Sequence, residues 1–81
     1  MRIYVANISW TSMERDLRAI FAQYGAVQHV DIPVDGSGMS RGFCVVEMGD
    51  SGEAEIAIQK LDGAYVEGKR WSVQRFAEAT A

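Results

Sequence analysis

Cysteine, proline and histidine each occur once in this 81-residue chain. Cys44 alone can form no internal disulfide framework and no Cys-rich zinc set, and a lone thiol fits a reducing cytoplasm. His29 alone excludes a histidine-cluster metal centre. Positive charge is also sparse: eight Lys plus Arg stand against eleven Asp plus Glu, a net charge of −3. Binding of a polyanion by bulk charge is therefore excluded, and any site for one must be local. No apolar run approaches the roughly 20 residues of a membrane span. The start Met1-Arg2-Ile3-Tyr4-Val5 has no long apolar segment followed by a cleavage site. The expectation is a cytoplasmic protein without membrane, metal or cofactor. What is present is a folding composition, 48% apolar and 23% charged, enough for one core and too short for a multi-domain enzyme.

Alternation of period two marks a first strand over Arg2 to Asn7, with Ile3 and Val5 on one face and Arg2, Tyr4 and Ala6 on the other. Thr11 and Glu14 have capping-box spacing. Met13, Leu17, Ile20, Phe21 and Tyr24 then follow at helical intervals, which predicts a helix over about residues 12–24 with Gly25 as its stop. Val27 to Ile32 reads as a second strand, Val30 and Ile32 inward and His29 and Asp31 outward, with a bulge near Gln28 if Val27 is also buried. Pro33 ends it as an edge strand. After a loop over Asp35 to Ser40, Arg41 to Met48 alternates again, with Phe43, Val45 and Glu47 outward and Cys44, Val46 and Met48 inward. Asp50 or Ser51 caps a second helix whose stripe is Ala54, Ala57, Ile58 and Leu61, stopped at Gly63. A turn at Glu67-Gly68 leads to a fourth strand, Lys69 to Arg75, burying Trp71 and Val73.

This order is βαββαβ, an α+β, ferredoxin-like sandwich with two helices on one face of a four-stranded antiparallel sheet and the other face open. An open face should be polar, yet its parity set includes Tyr4, Phe43 and Val45. Exposed rings on neighbouring strands form a stacking surface for unstacked bases, worth about 1–3 kcal/mol per base. The same patch, or the helical face, could instead hold a protein partner.

Arg41-Gly42-Phe43-Cys44-Val45-Val46-Glu47-Met48 resembles the longer ribonucleoprotein motif of the RNA recognition motif family, and Ile3-Tyr4-Val5-Ala6-Asn7-Ile8 resembles the shorter one. Phe21-Ala22-Gln23-Tyr24-Gly25 and Leu61-Asp62-Gly63 are similar to flanking family segments. The resemblance implies a domain over residues 1–76 with a short tail, 77–81, and a sheet ordered 4-1-3-2 that binds single-stranded RNA. Position by position, it implies that Tyr4 and Phe43 stack on bases, that Arg41 meets a phosphate, and that Gln74, Arg75 and Phe76 at the end of the fourth strand contact RNA, although Phe76 could instead fold over the sheet edge or pack into the core. Asn7 is the Asn of the short motif and is suited to hydrogen-bonding local backbone where the strand ends. Val45 stands where the family offers a third ring. The loss of one stack, about 1–3 kcal/mol, weakens binding roughly 5- to 150-fold.

Trp10, just before the first helix, and Trp71, inward on the last strand, read as packing residues. Cys44 has core parity and reads as an inert buried thiol. No nucleophile, base and orienter set occurs, and Gly36-Ser37-Gly38 joins two strands rather than opening a helix, so no enzyme activity is expected. An acylphosphatase-like hydrolase would share the fold, but would need an Arg and several free amides after the first strand, where this chain has Asn7-Ile8-Ser9-Trp10. A monomer that binds single-stranded RNA is the reading.

Overall fold

Ile3 and Val5 are fully buried and Arg2 is exposed, the alternation that a strand with one covered face requires. That strand is β1 (Arg2–Ala6), and it is followed by α1 (Glu14–Ala22), β2 (Val27–Asp31), β3 (Phe43–Met48), α2 (Ser51–Leu61), β4 (Tyr65–Val66), β5 (Lys69–Arg70) and β6 (Ser72–Arg75). The structure is a computed structural model and describes residues 1–76; the expected tail lies outside the described residues. The main sheet is antiparallel throughout, in the order β2-β3-β1-β6, which is the expected 4-1-3-2 arrangement with β6 as its fourth strand. Leu17 and Phe21 of α1 and Ala54, Ala57 and Leu61 of α2 close over Ile3, Val5, Val30, Cys44, Val46, Met48, Trp71 and Val73. Phe21 and Trp71 stack at 6.1 Å between centroids and 13° between planes. Each large aliphatic chain buried here contributes about 1.5–3 kcal/mol.

Local chemistry moves several boundaries from where the sequence puts them. Asn7 leaves β1 with φ of 64°, a left-handed conformation that asparagine tolerates. The third strand begins at Phe43, not Arg41, because Gly42 has φ of 88° and breaks the extended run. Thr11 does not cap α1. Its hydroxyl pairs with that of Ser9 at 3.0 Å, the Ser12 amide donates to the Ser9 carbonyl, and this turn delays the helix to Glu14. The Met13 amide donates to Asp16 Oδ2 at 3.1 Å, so a carboxylate in the first turn takes over the start. Met13 is consequently outside the core, 53% exposed.

Gly25 is not a left-handed stop. A Cβ there would lie within 2.8 Å of Glu53 Cβ, so its missing side chain makes room for α2. Asp50 caps α2 by accepting from the Glu53 amide at 2.9 Å, and Gly63, with φ of 83°, follows its end. The expected bulge lies between Val27 and His29, and β2 is an edge strand ending before Pro33.

The segment read as a single fourth strand divides. Tyr65–Val66 and Lys69–Arg70 form a two-stranded hairpin, Trp71 bonds to Ala64 and Gly63, and only Ser72–Arg75 joins the main sheet. The two-residue turn Glu67-Gly68, both with positive φ, selects the hairpin. Trp10, expected to pack, is instead 65% exposed. The turn from Ser9 to Ser12 turns its ring away from the core that Trp71 fills.

Candidate nucleic-acid interface

Strand register arranges the open face as a grid, since residues paired across antiparallel strands share a face. Asp31, Val45, Tyr4 and Gln74 form one row from β2 to β6. On one side of it lie His29, Glu47 and Arg2, in line with Phe76, whose amide donates to the Arg2 carbonyl at 2.9 Å. On the other side lie Phe43, Ala6 and Ser72. Phe43, Tyr4 and Phe76 therefore run diagonally across three strands. Tyr4 sits 5.5 Å from Phe43, with 34° between the planes, and 6.1 Å from Phe76, with 46°. All three rings are half-buried, because each is supported by the sheet and covered by nothing.

The structure brings Tyr4, Phe43, Val45 and Gln74 together as expected and separates two other candidates from them. Arg75 pairs in register with buried Ile3, which places it on the covered face with Val73. Its Nη2 donates to Glu55 Oε1 on α2 at 2.8 Å. The Arg75 side chain is thus removed from the ring platform, and the alternation set by Trp71 and Val73 is the physical reason. Asn7 is a positioning residue: its Nδ2 donates to the Arg70 carbonyl at 2.9 Å, a link across 63 positions rather than the local bond expected. It ties the end of β1 to the turn into β6, and so holds the two strands that carry Tyr4 and Gln74. Arg41 is exposed just before the Gly42 bend, and its amide donates to the Pro33 carbonyl at 3.0 Å. Its side chain stands at the Phe43 end of the diagonal.

Phe76 is the ring that sequence reasoning left undecided. A signal was available, because Phe76 shares its parity with Gln74. With Val45, Arg2, His29, Asp31 and Glu47 it borders a cavity of about 270 Å³ directly over the position that lacks an aromatic side chain. Charge on the face is divided by position. With Arg75 turned away, the grid holds Arg2 against Asp31 and Glu47, while Arg41 and Lys69 are exposed beyond its Phe43 end.

The amides of Ile8, Thr11 and Ser12 are already bonded to Gly42 O, Ser9 Oγ and Ser9 O. Cys44 lies under the sheet, and burial first, then the charge of Asp31, pushes its thiol up to about 12. Among the described residues no cluster of His, Cys, Asp or Glu could hold a metal ion, and no helix is long and apolar enough to cross a membrane.

The family model described as the RNA recognition motif matches residues 3–72. A protein of Nostoc sp. (strain PCC 7120) named RNA-binding protein RbpB is 46% identical over 76 residues, covering 93% of this chain and 74% of the relative. Another from the same organism, named RNA-binding protein RbpD, is 43% identical, covering 93% of this chain and 81% of the relative. The crystal structure of RNA Binding Protein PG1 superposes with a TM-score of 0.93 at 36% identity, covering 100% of this chain and 99% of that one. The structure of the Sxl-lethal protein/RNA complex superposes with a TM-score of 0.92 at 25% identity, over 98% of this chain and 48% of that one.

Proposed function

We propose that this chain, which belongs to the RNA recognition motif family, binds single-stranded RNA by stacking bases on the open face of its sheet. The observation that carries this reading is the diagonal of Phe43, Tyr4 and Phe76, three neighbouring rings left uncovered on the one face that the helices do not protect. Water gains nothing from such rings, whereas each stacked base contributes about 1–3 kcal/mol. Unpaired bases are required, since a base inside a duplex presents no free face to a ring.

The roles divide by position. Tyr4 and Phe43 are the central stacking residues, and Phe76 takes the place of the ring missing at Val45. Gln74, beside Tyr4, offers an amide to a base edge, and Arg41 takes a phosphate. Asp31 and Glu47 on the far side accept only, so they favour a base edge that carries donors and repel a phosphate. The binding is non-covalent and uses no cofactor. Residues 1–76 are the binding unit, acting as a monomer in the cytoplasm, where an RNA ligand and a reduced Cys44 are both at home.

A titration with random-sequence single-stranded RNA, read by residue-level NMR shifts, tests this. Shifts are expected at Tyr4, Phe43, Val45 and Gln74 and absent from Glu55 and Ile56 on α2. Shifts confined to the helical face, or equal binding of duplex RNA, would overturn it.

A further inference from the structure

Trp10, 65% exposed, is a large apolar surface that the ring platform does not use, and its surroundings are those of a nucleotide site. The indole lies at the Phe43 end of the grid, with Nε1 3.9 Å from where a Gly42 Cβ would sit. Gly42 directly precedes Phe43, so the indole lies beside the end of β3 at which Phe43 stands. It borders a cleft of about 380 Å³ shared with Met39, Ser40, Arg41 and Asp35. Met39, 42% exposed, supplies a second apolar wall. Lys69 Nζ stands 5.9 Å from the centre of the indole ring.

The loop that carries Met39 is built rather than loose. Asp35 Oδ1 accepts from the Ser37 amide at 2.9 Å, the Ser37 hydroxyl at 2.7 Å and the Met39 amide at 3.1 Å, while the Asp35 amide donates to the Met39 carbonyl at 2.9 Å. The Ser37 hydroxyl and these amides hold the Asp35 carboxyl below its ordinary range. That carboxylate is occupied in fixing the loop, while Arg41 lines the same cleft and Lys69 stands against the indole.

We infer that Trp10 and Met39 form an additional nucleotide subsite, in which a base of the bound RNA strand beyond the one on Phe43 stacks on the indole while Lys69 and Arg41 take its phosphate. This rests on the RNA-binding reading above and extends it by one nucleotide. An RNA strand is favoured over a protein as occupant because the indole lies beside the end of β3 that carries Phe43, shares its cleft with Arg41 and has Lys69 against its ring. Lys69 moves from the ring to the phosphate when the base arrives, at little cost for an exposed ammonium.

The experiment is a ladder of random-sequence single-stranded RNA pools, each one nucleotide longer than the last, titrated against wild type, Trp10→Ala, Trp10→Phe, Lys69→Gln and Tyr4→Ala. Wild type should show a step of about 5-fold or more in affinity at one length, as one added stack supplies. Trp10→Ala should remove that step and leave the affinity of shorter pools unchanged, and Trp10→Phe should restore most of it. Lys69→Gln should flatten the salt dependence by about 0.7 only for pools long enough to show the step. Since Trp71 is buried, quenching of the exposed indole fluorescence should appear at the same length. Binding that depends on Tyr4 yet shows the same step in Trp10→Ala would overturn the subsite alone, and would leave Trp10 with Met13 and Val34 as a protein-facing surface. Pools that fail to bind at any length, or that ignore Tyr4→Ala, would overturn the RNA reading and the subsite with it.

Discussion

Tyr4 and Phe76 meet with ring centroids 6.1 Å apart, although they come from opposite ends of the described chain. The contact exists because β6 returns beside β1 and the Phe76 amide bonds to the Arg2 carbonyl, which sets the second ring one row from the first. On the proposed RNA-binding face, the ring that Val45 does not supply is thereby matched by one from another strand.

Tyr4→Ala and Phe43→Ala should each weaken RNA binding by about 1–3 kcal/mol while leaving the thermal midpoint nearly unchanged, because both rings are only half-buried. Affinity of the folded double variant for single-stranded RNA is the measurement. Unchanged affinity there would remove stacking as the mechanism.

Phe76→Ala should weaken binding by about 1–3 kcal/mol, and Val45→Phe should recover much of that loss. In the presence of Phe76 the gain from Val45→Phe should be smaller, since both rings address the same cavity of about 270 Å³. A double-mutant cycle on RNA affinity should return a coupling of about 0.5–3 kcal/mol. Additive effects would show that Phe76 does not replace the absent ring.

Arg41→Ala should reduce affinity for unrelated RNA sequences about equally and flatten the plot of log affinity against log salt by about 0.7. Arg75→Ala should leave that slope unchanged, because its guanidinium is paired with Glu55 on the covered side. With few cations near the platform the wild-type slope should be shallow, about −1.5 to −3 for two to four phosphate contacts. A slope steeper than about −5 would mean that general charge attraction dominates.

The Cys44 thiol should resist thiol reagents at pH 8 in the folded protein and react on unfolding, as it is fully buried and its ionisation is pushed from 9.0 up to about 12. Raised above its unfolded value, the protonated group favours the fold at all pH below about 9. That contribution is lost progressively as pH climbs from 9.0 toward 12. Unfolding midpoints across this window should fall more steeply in wild type than in Cys44→Ala.

The sequence by itself determined the order of the two helices and of the four strands of the main sheet, the buried set apart from Met13, Trp10 and Ile8, and the outward parity of Tyr4, Phe43 and Val45. Period-two alternation is local, and one covered face makes every alternate position either apolar or exposed. The same alternation, counted from Trp71 and Val73, already sends Arg75 inward and Phe76 outward; placing Arg75 with the RNA contacts followed the family resemblance against the parity of the strand. Where φ turns positive, as at Asn7 and Gly42, strand ends depend on single residues that periodicity does not weigh. Only the tertiary structure decided that the fourth strand breaks into a hairpin and a shorter strand, that Asn7 reaches Arg70 across 63 positions, and that Trp10 faces solvent beside Lys69 and Arg41. Each of those depends on which distant backbone groups find partners and which space Trp71 has already filled, and no local pattern encodes the outcome of that competition.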